Sequence, residues 1–167
     1  MIIKALLPNV EYRIFDNSAN VLYYVENNLL DDIKYFKHKN QLGWEYQKDL
    51  MDELGLIRIA VEFNHLKLVK WLYKEEIRNG LGIQMCISAI QNGNLEMLEW
   101  IIGKGYPYDD TELYVEAIID DQIEIARWLR FNNIWFNPEN IIISIYRKKK
   151  YSDRYRQIVE YLKGPFI

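Results

Sequence analysis

One cysteine, Cys86, in 167 residues excludes any disulfide within the chain. Histidine is nearly as scarce. His38 and His65 stand alone, with no CxxC and no carboxylate at ligand spacing, so neither a metal nor any other cofactor is expected. Long apolar runs are missing as well. The opening MIIKALLP is too short for a signal-peptide core, and IIISIY, residues 141–146, is far below the roughly 18 to 20 apolar residues that span a bilayer. These absences, with a lone thiol, lead to the expectation of a soluble intracellular protein, cytoplasmic rather than membrane-bound. No glycine-rich phosphate loop or nucleophile elbow occurs, which argues against an enzyme. The net charge of −3 exerts no global pull on nucleic acid.

What the chain does have is a repeat. Hydrophobic residues make up 50% and charged residues 27%, the balance of a folded protein, with 13 Tyr and 5 Trp supplying large amphipathic area. Ala60, Ala89 and Ala117 recur at steps of 29 and 28, and Trp71, Trp100 and Trp128 follow each of them by 11. A period of this size signals stacked units, none of which buries its apolar face alone. A degenerate copy begins at Val21, with Tyr24 in the place of Ala60 and Tyr35 in that of Trp71. Its step to the next unit is 36, so about seven extra residues lie within residues 38–55, as a longer loop or an added helical turn. A last copy starts at Asn137, where Ile145 and Tyr161 are 16 apart and the insertion falls in KKKYSD.

Each unit reads as two short helices and a tight turn. Positions 28, 64, 93 and 121 are Asn, Asn, Gly and Asp, residues that tolerate a left-handed backbone at a helix end. The second helices carry Leu30/Ile33/Phe36, Leu66/Val69/Leu72, Leu95/Leu98/Ile101 and Ile123/Ala126/Leu129 on one face, with Trp71, Trp100 and Trp128 widening it as core. Asp109 with Glu112 reads as a capping box, and Asn137-Pro138 as a cap followed by proline at the first helical position. Small residues at 60, 89 and 117 let neighbouring helices approach, while the end units relax to Tyr24 and Ile145. The expected architecture is an all-α solenoid of about five helical hairpins in a single domain. Residues 1–17 form a cap, 18–136 the repeats and 137–167 a divergent capping hairpin.

The third unit, GNLEMLEWIIGKGYPYDD, resembles the ankyrin-like repeats of about 27 residues found in large DNA viruses and some protists, N-G-H-L-E-x-L-x-W-L-x-x-x-G-x-P-W-D-E. Asn92, Gly93, Asn94, Leu95, Glu96, Leu98, Trp100, Gly105, Pro107 and Asp109 carry the match, and His65 takes the family's His place one unit earlier. The resemblance implies a non-catalytic protein-protein recognition module, a viral ankyrin-repeat protein that binds or sequesters a host protein. The T-P-L-H signature of standard ankyrin repeats is absent, so projecting β-hairpin fingers are not implied. Leu7-Pro8 and Ile14-Phe15 resemble the opening of an F-box, but one residue short, and the first repeat begins before such a domain could end.

Two groups of residues are candidate sites. Trp44, Tyr106, Tyr108, Trp135 and Phe136 lie between units, where they either anchor a protein partner or fold back to seal the core. Arg147, Lys148, Lys149, Lys150, Arg154 and Arg156 form a basic cluster with Tyr146, Tyr151 and Tyr155 interleaved. That composition suits phosphate or nucleic-acid binding, and equally the solvated outer face of a capping repeat. Nucleic acid is the less favoured partner in an acidic protein. Paired acidic residues such as Asp31/Asp32 and Asp120/Asp121 sit where helices start or turn, which the helix dipole explains without catalysis. Cys86 reads as a buried small hydrophobe. A structural or homo-oligomeric role is the remaining alternative.

Overall fold

The protein is described by a computed structural model at residues 18–39, 48–49, 51–52, 55–78, 82–135, 137–148 and 153–164. Ten helices and no strand occur among them. In order they are α1 (Ser18–Glu26), α2 (Leu30–Lys39), α3 (Leu56–Glu62), α4 (Leu66–Lys74), α5 (Ile83–Gln91), α6 (Leu95–Gly103), α7 (Asp110–Ile119), α8 (Ile123–Phe131), α9 (Pro138–Arg147) and α10 (Asp153–Lys163). Successive helices pair into five hairpins, as the repeat predicts. The chain divides into two compact units, Met1–Gly80 and Leu81–Ile167, containing two and three of these hairpins.

The turn inside each hairpin follows from local backbone chemistry. Asn28, Asn64, Gly93 and Asp121 have φ of 55°, 61°, 64° and 60°, the left-handed conformation expected from their residue types. Each terminates its helix with the paired bonds of a Schellman motif. The N–H groups of Leu29, His65, Asn94 and Gln122 donate to the carbonyls of Tyr24, Ala60, Ala89 and Ala117 at 2.9, 2.8, 2.9 and 2.7 Å. The landmark that defines the repeat is thus the residue whose carbonyl closes the turn. Tyr24 performs the same task as the alanines, which validates the alignment of the degenerate first unit.

A second left-handed series was not read from the sequence. Glu76, Gly105 and Asn133, at φ of 67°, 74° and 57°, end α4, α6 and α8 at the same steps of 29 and 28. Glycine and asparagine at two of the three positions were a signal; glutamate at the third obscured it. Ile77 and Ile134 then donate to Leu72 and Leu129, both at 3.1 Å, so the second helices end as the first ones do.

Helix starts agree with the caps read from the sequence. Asp109 accepts from the Glu112 N–H at 2.7 Å, and Asn137 accepts from Asn140 at 3.0 Å with Pro138 at the first helical position. Asn94 caps α6 through Met97 at 2.9 Å. His65, which takes the family's His place, makes no side-chain cap. Its Nε2 instead donates to the Glu26 carbonyl at 2.8 Å, tying its hairpin to the preceding one, while its ring stacks on Phe63.

In the first unit, α1 packs on α3, and the core comprises Val25, Ile33, Met51, Leu56, Ile57, Ala60, Val61, Leu68, Val69, Leu72 and Ile77. The insertion before α3 includes helical residues at 48, 49, 51 and 52, in keeping with an added turn. Asp52 accepts from the Arg78 N–H at 2.5 Å, which fastens this segment to the end of α4.

In the second unit, α7 packs against α5, α8, α9 and α10, and every residue from Leu113 to Ile119 is buried. Tyr114 is enclosed with its hydroxyl donating to the Ile134 carbonyl at 3.3 Å. The second helices bury Leu68/Val69/Leu72, Met97/Leu98/Ile101 and Ile125/Ala126/Leu129. This shifts the expected face, since Leu66, Leu95 and Ile123 at each helix start are only half-buried. Trp71, Trp100 and Trp128 are likewise half-buried rather than core. A large ring at the edge of the apolar stripe covers it while leaving its own rim in water.

Candidate binding surface

The aromatic residues between hairpins separate by exposure. Tyr106 and Tyr108 are half-buried, in line with folding back, and burial together with the nearby Asp110 carboxylate pushes the Tyr108 phenol pKa up. Trp135 is 56% exposed. Trp44 and Phe136 lie outside the described residues. Sequence reasoning missed Phe131, the last residue of α8, which at 74% is the most exposed of the large apolar side chains described. Its register partners Lys74 and Gly103 close α4 and α6, so comparing the repeats exposes the anomaly: a phenylalanine where the array otherwise places a polar residue or none. Phe131 and Trp135 flank the left-handed Asn133, whose turn reverses the chain. Two large rings are thus exposed within five residues of chain.

The basic cluster is distributed differently from what its sequence suggests. Lys148 donates to Glu112 at 2.8 Å and also to Glu116, two carboxylates of α7. Glu116 is the one charged residue among the described residues to be buried, at 7% exposure. Burial acts against the Lys148 charge, yet the hydrogen bonds and charges of Glu112 and Glu116 outweigh it and hold the ammonium pKa above the ordinary 10.5. Arg154 reaches both carboxylate oxygens of Asp121, at 2.6 and 2.5 Å. Tyr155 donates to the Ile119 carbonyl at 3.4 Å, and Arg130 to that of Gly164 at 2.6 Å. These bonds fasten α9 and α10 to the hairpin before them. Arg147 is exposed at the end of α9, Lys149 and Lys150 lie outside the described residues, and the helix carrying Arg156 is described without that side chain. Residues 1–17, with the F-box-like opening, are also outside.

Chemistry at the other candidates is muted. Cys86 is buried on α5, and desolvation raises its thiol pKa to about 11, so it is protonated at neutral pH. Among the described residues no cluster of three or more His, Cys, Asp or Glu side chains is placed to hold a metal ion. None of the described helices is long and apolar enough to cross a membrane.

Comparison with known proteins agrees with the hairpin geometry. Residues 57–102 match the family model described as ankyrin repeats (many copies). An ankyrin repeat protein of Acanthamoeba polyphaga mimivirus is 24% identical over 53% of this chain and 18% of its own length. Dermonecrotic toxins of Sicarius peruensis are 26% identical over 72% of this chain and 41% of theirs. The chain therefore spans less than half the length of these curated relatives. No solved structure matches it. Residues 57–102 are thus similar to ankyrin repeats, and helix hairpins at a step of 28 to 29 residues with Schellman turns in register accompany that match.

Proposed function

We propose that this chain is a non-catalytic, intracellular recognition module that binds a protein partner, and that the partner is a host protein it sequesters or redirects. Ankyrin repeats mediate protein-protein interaction, which supports the class. The observation that carries the reading is the exposed pair Phe131 and Trp135. Large rigid rings held on a packed scaffold lose little entropy on binding and dominate interface hot spots. Tyr106 and Tyr108 belong to the same inter-hairpin belt and offer a hydroxyl each at its half-buried positions. A phosphate or nucleic-acid ligand at Lys148 and Arg154 would have to displace Glu112, Glu116 and Asp121, which makes the basic cluster the weaker candidate. The toxins' activity is not carried over from a likeness of this extent.

The test is affinity capture of the intact chain's partners from cell extract at low and high salt with nuclease present, repeated with Trp135→Ala and Phe131→Ala. A discrete protein retained at high salt and lost from both variants, at unchanged melting temperature, is the expected result. Capture that salt abolishes and the variants leave intact would overturn it in favour of a polyanion ligand.

A further inference from the structure

Three positions of the second helices stay open at every step of the repeat. Positions 67, 70 and 74 of α4 correspond to 31, 34 and 38 of α2, to 96, 99 and 103 of α6 and to 124, 127 and 131 of α8, and all twelve are exposed. The hairpin of α7 and α8 packs between the hairpins before and after it, yet its row is as open as the others. The row therefore faces solvent and is not where a further repeat stacks.

On α4 the row is Lys67, Lys70 and Lys74, which lie at i, i+3 and i+7 on one stripe. At the first two of these positions α2 and α8 carry opposite charges that pair, Asp31 with Lys34 at 3.7 Å and Glu124 with Arg127 at 2.8 Å. α4 sets two like charges there and a third one turn on, and like charges at this spacing repel. Lys67 also opposes the helix dipole. α2, α6 and α8 each have Asp or Glu in the first turn, and α4 has none. The scaffold thus gains nothing from this row and is weakened by it. A local rule broken without internal compensation marks a functional surface.

We propose that Lys67, Lys70 and Lys74 dock an acidic helical segment of a partner protein whose carboxylates repeat at the matching spacing. This rests on the reading of the chain as a recognition module, and it names the chemistry of the partner. The three lysines span about 10 Å of helix axis, the length of two turns, which suits a short segment. A nucleic-acid strand would need a longer basic track, and the neighbouring α2 opens with the exposed carboxylates Asp31 and Asp32, which repel phosphate. Trp71, half-buried and four residues after Lys67, gives the segment an apolar edge to rest on.

The test is a displayed library of helical peptides, randomised at every position and selected against the intact chain at low salt. Enriched peptides should carry Asp or Glu at that spacing and lose at least about 10-fold in affinity on Lys67→Glu, and likewise on Lys70→Glu. Changing the facing peptide carboxylate to Lys should restore binding to each variant. Melting temperatures of both variants should be unchanged or higher, since each removes a like-charge contact. Lys67→Gln and Lys70→Gln serve where charge reversal perturbs the fold. Four results overturn the proposal: enrichment without an acidic pattern, peptides that bind every lysine variant unchanged, a single-stranded oligothymidylate bound more tightly than the enriched peptides, or a wild-type dimer in sedimentation equilibrium that Lys70→Glu converts to monomer. Peptides lost with Trp135→Ala but retained by the lysine variants would leave the recognition module standing and remove this site from it.

Discussion

The side-chain oxygen of Gln122 stands 2.9 Å from where a Cβ on Gly93 would lie, so the turn of one hairpin rests on the turn of the one before it. Gln122 is the first residue after its own left-handed Asp121, and His65, its register partner, reaches back in the same direction to Glu26. Turn-to-turn contact thus recurs within each unit, and it gives glycine at 93 a second reason beyond its φ of 64°.

Gly93→Ala is expected to destabilise the chain by about 1–2 kcal/mol, chiefly through the left-handed backbone. Because the Gln122 amide is the far end of a flexible side chain, its share is the smaller one. Urea denaturation of Gly93→Ala alone and with Gln122→Ala measures both: the double variant should recover a few tenths of a kcal/mol. Gly93→Asn with Gln122→Ala, which restores the residue used at 28 and 64, should lie nearest the wild type. A Gly93→Ala variant as stable as the parent would remove the left-handed turn from the account.

Glu76 occupies a left-handed position filled by Gly105 and Asn133 in the next two hairpins. Its contact with Lys48, at 3.6 Å with the Glu76 side chain 69% exposed, contributes little. Glu76→Gly should therefore raise stability by about 0.5–1 kcal/mol, the left-handed strain relieved exceeding the entropy glycine adds to the unfolded chain. Differential scanning calorimetry would register this as a higher melting temperature.

Lys148 has a folded pKa above its unfolded value, so its contribution is fully present below about 10.4 and is lost as pH rises through the folded pKa. Wild-type melting temperature should accordingly fall above that pH in part because of this group. Lys148→Met should be destabilised by about 1–3 kcal/mol at pH 7, leaving Glu116 buried without its cation, and should show a shallower alkaline decline. Parallel alkaline profiles for the two proteins would mean that the Lys148 pairing contributes nothing.

Burial and a thiol pKa of about 11 make Cys86 a poor nucleophile in the folded chain. Reaction with a disulfide reagent at pH 8 should be slow and governed by unfolding, then rapid and stoichiometric for one thiol in denaturant. Fast labelling of the native protein would contradict the packing of α5.

The repeat period was readable by comparing units, and so were features set within about five residues: the hairpin boundaries, the caps at Asp109 and Asn137 and the left-handed turns at 28, 64, 93 and 121. A Schellman turn or a cap is decided by a few adjacent side chains and one backbone angle, so residue type suffices. Burial and pairing obeyed longer-range rules. Tyr146 holds the register position at which Val61, Ile90 and Ile118 are enclosed, yet it is exposed, because enclosure depends on a neighbouring helix and not on the residue. The basic run looked like one patch until Lys148 and Arg154 met carboxylates more than 30 residues earlier in the chain. Phe131 and Glu76 escaped notice since each departs from its register partners. Sequence determined the repeating unit and its turns through local backbone preference; only tertiary packing decided which apolar strips were covered and which charges neutralised, since both depend on the elements brought alongside.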